Sequence, residues 1–151
     1  MRWTKADTTQ YIPEKQYIDT VIIPLIPFDP GNDQHMVKQA FQRELNQVFT
    51  NLIEKEYKGR IFLAPDYYYL EGSQADEKER INRWIHKFKE QPFHHVFLFT
   101  FDSKWKKYEG ELEGHVLWVP GMGSGDIQST ETQSFVREQA HQISDLIQAY
   151  W

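Results

Sequence analysis

Residues 94–101, His-His-Val-Phe-Leu-Phe-Thr-Phe, limit the possible folds of this chain more than any other segment. From Val96 onward nearly every residue is apolar, whereas a strand with one face in water alternates apolar with polar residues. The segment therefore predicts a strand that is covered on both faces. Such strands occur in parallel or mixed sheets with helices above and below. We expect the rest of the chain to supply those covering layers.

Three further segments have the composition of strands. Residues 17–28 form the most β-branched run of the chain, residues 60–65 form a short apolar run, and residues 115–119 form a fourth candidate strand. Pro24 lacks the N–H group that a sheet ladder requires, so we expect regular pairing to weaken there. The connection over 102–114 has about the dozen residues that a parallel crossover needs. Parallel pairing of the fourth strand is therefore favoured over a long hairpin.

Apolar residues at helical spacing predict three helices, over residues 34–58, after Ser73, and after a capping box formed by Thr130 and Gln133. The resulting order is β-α-β-α-β-β-α. Right-handed crossovers then place helices on both faces of a four-stranded, mostly parallel sheet with strand order 2-1-3-4. We expect one α/β domain over residues 1–151, with three layers as in flavodoxin-like or Rossmann-like folds.

The composition excludes several classes of function. Lys plus Arg is 17 and Asp plus Glu is 22, and the formal net charge of −5 argues against binding to nucleic acid. The absence of cysteine excludes disulfides, thiolate metal sites and cysteine nucleophiles. Six scattered histidines show no ligand spacing, so no transition-metal site is predicted, and no segment has a cofactor-binding signature, so no cofactor is predicted either. No segment has the length of a signal peptide core or a membrane span, which predicts a cytoplasmic protein.

The carboxyl edge of the predicted sheet is where ligands bind in folds of this class. Asp29 follows the first strand, Asp66 with Tyr67 follows the second, and Asp102 with Lys104 follows the third. The first and third strands flank the point where strand order reverses, so Asp29 and Asp102 are predicted to be the closest pair. A loop after the fourth strand adds Gly121, Gly123 and Ser124.

These aspartates allow two interpretations. Two carboxylates in one cleft can divide acid from base or nucleophile work, or they can hold Mg²⁺. Asp after a strand is more often a turn former or a helix N-cap, and we favour that interpretation. The glycine loop lies where a helix N-terminus can hold phosphate. However, it matches neither phosphate-binding motif and has no adjacent Lys or Arg, so a mobile loop is favoured.

The aromatic content is the other unusual feature. Tyr67 and its two neighbouring tyrosines, together with Trp105, Tyr108 and Trp118, can line a pocket for a flat ring or form a protein-binding patch. Core packing is the alternative. We favour core packing for Trp118, and less strongly for Trp105 and the tyrosines.

Several short segments together resemble the YpiF-like family of proteins from spore-forming bacilli. The resemblance extends over nearly the whole chain and rests on residues 1–3, 17–27, 58–60, 105–106 and 117–120. The family has no assigned catalytic residues, so the resemblance implies membership and no reaction.

We therefore expect a non-enzymatic module that binds a protein partner or a small ligand at the carboxyl edge. The alternative is a small hydrolase or transferase that acts on a nucleoside-like or phosphorylated substrate through Asp29 and Asp102. A third possibility is an assembly factor whose aromatic face forms a homodimer.

Overall fold

The computed structural model describes residues 1–123 and 125–151. In these residues we number four α-helices and five strands in chain order, and two 3₁₀ helices complete the elements. The helices are α1 (Lys5–Glu14), α2 (Asp33–Glu56), α3 (Gln74–Phe88) and α4 (Thr130–Gln148), and the 3₁₀ helices are Lys15–Tyr17 and Ser103–Glu111. The strands are β1 (Thr20–Phe28), β2 (Ile61–Leu63), β3 (Tyr67–Leu70), β4 (His95–Thr100) and β5 (His115–Trp118).

The sheet has the order β2-β1-β4-β5, and β3 also pairs with β1. Every pairing among the described residues is parallel. The predicted α/β class with a mostly parallel sheet is therefore confirmed. Parallel pairing of the predicted fourth strand is also confirmed, because β5 runs beside β4 from the pair Phe97 and His115 to the pair Thr100 and Trp118.

The prediction of four strands is wrong, because the sheet has five. Ile22 pairs with Leu63, and Leu25 pairs with Tyr67, so three steps along β1 correspond to four steps along its partner. The extra residue falls around Pro65, which has no N–H to donate and which divides the run into β2 and β3. The alternating burial of β3 is typical of a strand with one covered face, but four consecutive large residues hide that alternation in the sequence.

The hydrophobic core lies on both faces of the sheet. Val21 and Ile23 of β1 belong to a cluster that also contains Ile81 of α3. Ile22 belongs to a second cluster, which contains Phe49 of α2 together with residues of α4. Successive residues of β1 therefore contribute to different clusters, as the continuous apolar run of a strand buried on both faces requires.

Two expectations about burial are wrong. Val37 is the first of the apolar residues at helical spacing that predict the helix over 34–58, yet it is 77% exposed, and the buried part of this apolar stripe begins further along the helix. Trp105 is fully buried, whereas Trp118 is only partly buried. The Nζ atom of Lys106 lies 3.7 Å from the centroid of the Trp118 ring. The ranking of these two tryptophans is thus the reverse of the expectation.

Within the part of the chain that the structure describes, no helix is both long enough and apolar enough to cross a bilayer.

Candidate functional site

A cleft opens at the carboxyl edge of the sheet because β1 and β4 diverge. Their pairing ends at Pro24 and Phe99, where the missing N–H of Pro24 predicts a weakened ladder. Beyond this point β1 continues along β3, while the chain after β4 turns into the Ser103–Glu111 helix. We call the resulting space of about 220 Å³ the edge cleft. It is lined by Leu25, Ile26, Pro27, His35, Lys38, Gln39, Gln42, Arg43, Asn46, Glu71, Phe101, Asp102 and Ser103.

Helix α2 supplies the longest wall of the edge cleft. Asn32 caps this helix, because its side-chain oxygen accepts hydrogen bonds from the N–H groups of Gln34 and His35. His35, Gln39, Gln42 and Asn46 follow at intervals of three or four residues, so they share one face of the helix. This polar stripe runs beside the apolar stripe that packs on the sheet.

Asn46 is the most unusual residue of the edge cleft. It is 2% exposed, and neither atom of its side-chain amide has a hydrogen-bond partner among the described residues. Most buried polar side chains in folded proteins are hydrogen-bonded, and leaving such a group unpaired costs about 1–3 kcal/mol. The amide therefore offers a buried donor and a buried acceptor in the lining of the cleft.

A hydrogen-bonded network fixes the mouth of the cleft. The main-chain N–H of Asp29 donates to Gln39 Oε1 at 2.6 Å, and Gln39 Nε2 donates to Glu71 Oε2 at 2.8 Å. His35 Nδ1 lies 3.6 Å from the same Glu71 oxygen. Potential ligand atoms of Asp29, His35 and Glu71 all lie within 4.8 Å of one another. The contacts to Gln39 and His35 account for the position of Glu71, so we assign no metal ion to this group.

Asp102 lies on the opposite wall and joins three elements. Its carboxylate accepts hydrogen bonds from the Tyr69 hydroxyl, Gln74 Nε2 and the N–H of Lys104. The last bond caps the Ser103–Glu111 helix, as the turn or N-cap interpretation predicts. Trp105 Nε1 donates to the Tyr69 hydroxyl at 2.8 Å. Burial, followed by the charge of Asp102, raises the pKa of Tyr69 well above its ordinary value, so this hydroxyl stays protonated.

Two more of the predicted aromatic residues, Tyr67 and Trp105, lie in the core. Tyr67 is fully buried, its ring packs against Trp84, and its hydroxyl donates to Glu77. Burial and this hydrogen bond raise the pKa of Tyr67 well above its ordinary value. Trp105 is also fully buried. Lys104 is exposed and contributes its N–H to Asp102, while its side chain lies outside the lining of the edge cleft.

Asp29 and Asp66 are engaged in local contacts. Asp29 Oδ1 accepts from the N–H of Gly31, which is the geometry of a side-chain turn. Asp66 accepts from the Tyr68 hydroxyl. Because β3 extends the second strand past Asp66, the residue that ends this strand at the carboxyl edge is Glu71. Glu71 lies five residue steps beyond Asp66, which corresponds to about 16 Å of extended chain.

The glycine loop approaches the edge cleft from the side of β5. Gly121 packs closely on Phe101, since a Cβ at this position would lie 3.1 Å from the ring. A Cβ at Gly123 would lie 4.0 Å from Cε of Lys38, a residue that lines the cleft. The sequence shows no cation beside this loop, but the fold brings one there from α2. Ser124, the remaining predicted residue of the loop, lies outside the described residues.

The residues of α2 are the ones that sequence reasoning missed. Only Asp102 of the predicted aspartates lines the edge cleft, where it faces Lys38, Arg43 and Asn46. A search for polar residues at helical spacing within an amphipathic helix finds the stripe from His35 to Asn46. Such stripes are normally solvated helix faces, so the signal becomes specific only when burial is known.

The comparisons with known proteins agree with the sequence resemblance. The profile of a family described as "Protein of unknown function (DUF2487)" matches residues 9–151. The chain is also similar to the uncharacterized protein YpiF of Bacillus subtilis (strain 168), with 34% identity over 109 residues. That alignment covers 70% of this chain and 69% of the relative. No solved structure matches the chain.

Proposed function

Because the chain belongs to the DUF2487 family of proteins of unknown function, we propose its function from its geometry: it is a binding module that holds a small polar ligand in the edge cleft. This membership confirms the resemblance to the YpiF-like family. The binding edge is still the carboxyl edge of the sheet. Most of the proposed contacts come from helix α2 and not from the aspartates.

The observation that carries the proposal is the unpaired side chain of Asn46. A buried amide without partners destabilises the folded protein, and an apolar residue of similar shape would remove that cost. Retaining the amide is explained if a bound ligand supplies the missing hydrogen bonds. Gln42 lies one turn away on the same wall and adds further hydrogen-bonding groups.

The size and lining of the edge cleft support a compact, polar ligand. Sites for drug-sized molecules typically measure about 300–1,000 Å³ and are mostly apolar. The edge cleft is smaller, at about 220 Å³, and most of its lining residues have polar side chains. A ligand of a few hydrogen-bonding groups fits these properties better than a large flat ring.

Binding is better supported than catalysis by Asp29 and Asp102. Asp102 already accepts three hydrogen bonds, and Asp29 Oδ1 closes its own turn. A nucleophile or general base must reach the reacting atom, and these contacts hold both carboxylates in structural roles. A hydrolase or transferase that uses this pair would have to break contacts that connect β3, α3 and the Ser103–Glu111 helix.

We also infer that the fold belongs to the doubly wound class, as in flavodoxin-like or Rossmann-like proteins. The support is the parallel sheet with clusters on both faces and a cleft beside the strand where the order reverses.

A second candidate function is self-association through an exposed apolar patch beside the cleft. The patch consists of Phe28, Met36, Tyr68 and Leu70, which are 39% to 55% exposed. The rings of Phe28 and Tyr68 pack edge to face, with their centroids 6.2 Å apart. Most homodimers bury the same patch of both copies around a two-fold axis. Sedimentation equilibrium of the wild type and Leu70→Glu tests this function: a dimer that Leu70→Glu dissociates supports it, and a wild-type monomer excludes it.

The proposed function is tested by a thermal-shift screen of small polar metabolites on wild type and Asn46→Leu. A compound that binds only the native state must raise the melting temperature. We expect at least one compound to stabilise the wild type in a saturable way and to leave Asn46→Leu unchanged. Equal stabilisation of both proteins would place the ligand elsewhere and contradict the proposal.

A further inference from the structure

We infer that the ligand of the edge cleft carries an anionic group, a phosphate or a carboxylate, that is recognised by Lys38 and Arg43. This inference rests on the proposed function, because it names the chemistry of the ligand in the same cleft. The observation behind it is that the positive charges of Lys38 and Arg43 form no ion pair among the described residues.

The negative charges of the edge cleft are already matched by donors. Asp102 accepts from the Tyr69 hydroxyl, Gln74 and the N–H of Lys104. Glu71 accepts from Gln39 and lies next to His35. A carboxylate that accepts several hydrogen bonds has few lone pairs left for a cation. Asp102 therefore provides no open site for a positively charged ligand, and Glu71 is held by Gln39 and His35.

The positive charges of the edge cleft are not matched in this way. Neither Lys38 nor Arg43 takes part in any of the ion pairs formed within residues 1–123 and 125–151. Arg43 Nε donates to the Tyr68 hydroxyl at 2.8 Å, and this hydroxyl donates in turn to Asp66, so a nearby carboxylate offsets part of the charge of Arg43. In a protein of net charge −5, Lys38 without an ion pair and Arg43 on the same wall of the cleft favour an anion, and Lys38 is its main partner.

The position of Asn46 supplies independent support for a ligand at this place. Lys38 and Asn46 are eight residues apart on α2, which corresponds to about 12 Å along the helix. The flexible stem of Lys38 can shorten the distance between its ammonium and the Asn46 amide. The ligand that satisfies both groups has an anionic end and, several ångströms away, a group that donates or accepts a hydrogen bond.

The glycine loop extends the anion site on its outer side. Lys38 Cε lies 4.0 Å from the position that a Cβ would occupy at Gly123. The main chain at Gly123 therefore lies next to the side chain of Lys38. Backbone N–H groups of such a loop can hydrogen-bond to phosphate or carboxylate oxygens. The loop and α2 together thus form two sides of the proposed anion site.

The test is a titration of the ¹⁵N-labelled full chain, followed by the NMR signals of the Asn46 side-chain amide and of residues 121–123. The probes are inorganic phosphate and succinate at constant pH and ionic strength, with a neutral polyol and a small amine as uncharged and cationic comparisons. Lys38→Gln removes the lysine cation of the cleft and leaves Arg43 in place. Lys55→Gln is the matched control, because it removes an exposed lysine from the other end of the same helix.

We expect at least one anion to shift these signals in a saturable way. Lys38→Gln should weaken its binding by about tenfold, the typical loss for one charge-assisted hydrogen bond, and Lys55→Gln should change it less than twofold. A stronger response to phosphate identifies a phosphorylated ligand, and a stronger response to succinate identifies a carboxylate. Equal binding by the two variants would overturn the inference.

Two further outcomes separate the inference from the proposed function. If the polyol or the amine shifts the Asn46 signal and neither anion does, the anionic ligand is wrong and the binding function stands. If no probe shifts the signal and no compound of the metabolite screen stabilises the wild type, both are wrong.

Discussion

The buried polar side chains of this protein differ in whether they have hydrogen-bond partners. The Tyr69 hydroxyl accepts from Trp105 and donates to Asp102, so every group in that network is paired. Asn46 is equally buried and pairs with nothing among the described residues. A paired network fixes how β3 and the Ser103–Glu111 helix pack against each other. An unpaired amide adds no hydrogen bond to the stability of the free protein, and in the proposed function a ligand supplies its partners.

The first prediction concerns the Tyr69 network. Tyr69→Phe removes a hydrogen bond to a carboxylate and leaves the buried indole N–H of Trp105 unpaired, so we expect a loss of about 2–4 kcal/mol in the free energy of unfolding. Tyr68→Phe is the matched control on the same strand, because its hydroxyl is exposed and should cost less than about 1 kcal/mol. Urea denaturation measures both. Equal losses for the two variants would show that the network does not stabilise the fold.

The second prediction concerns alkaline pH. The pKa values of Tyr67 and Tyr69 are raised in the folded protein from 10.0, the former mainly by burial and Glu77, the latter mainly by burial and Asp102. Above about pH 10 the unfolded chain releases these protons while the folded protein retains them, so the free energy of unfolding should fall as pH rises. Below pH 10 this contribution is fully present.

Tyrosinate absorbance as a function of pH tests this prediction. Tyr67 and Tyr69 should ionise only together with unfolding, whereas all tyrosines of the urea-unfolded chain should titrate near pH 10. Titration of all eight tyrosines near pH 10 in the folded protein would contradict the structure.

At the level of secondary structure, helix α2 carries the site. Its apolar stripe packs on the sheet, and its polar stripe lines the edge cleft. The first turn depends on Asn32, whose side chain accepts from two N–H groups at the helix start. The position of the cation and amide groups therefore depends on an ordinary helix cap.

The third prediction follows from that cap. Asn32→Ala should lower the free energy of unfolding by about 0.5–2 kcal/mol, because two N–H groups lose their acceptor, and Asn32→Asp should retain most of the stability. Hydrogen exchange should accelerate in the first turn of α2 in the alanine variant. Unchanged exchange there would indicate that other contacts fix the helix start.

The sequence predicts some of these elements better than others. The apolar run of β4 and the β-branched run of β1 identify both strands, because continuous burial leaves an unambiguous pattern. Strand β3 is not predicted, because Pro65 interrupts the apolar run that contains β2. In addition, the consecutive tyrosines hide the alternation of buried and exposed residues in β3. This miss moves the end of the second strand from Asp66 to Glu71 and so changes which carboxylate reaches the carboxyl edge.

For the whole molecule, strand order determines where the cleft lies. The reversal next to β1 can be predicted from connection lengths and crossover handedness, and so can the binding edge. The residues of the cleft cannot be predicted in the same way, because Lys38, Gln42 and Asn46 resemble a solvated helix face in the sequence. Their role depends on the rotation of α2 about its axis, which is set by how Phe49 and its neighbours pack on the sheet.

The central claim is that the Asn46 amide is retained for a ligand and not for stability. The most direct measurement is the free energy of unfolding of Asn46→Leu without ligand, with Asn82→Leu as control. Asn82 pairs with main-chain groups of Glu111 and Glu113, so its replacement should destabilise the protein. We predict that Asn46→Leu unfolds with a free energy about 1–2 kcal/mol higher than the wild type. A loss of stability like that of Asn82→Leu would contradict the account.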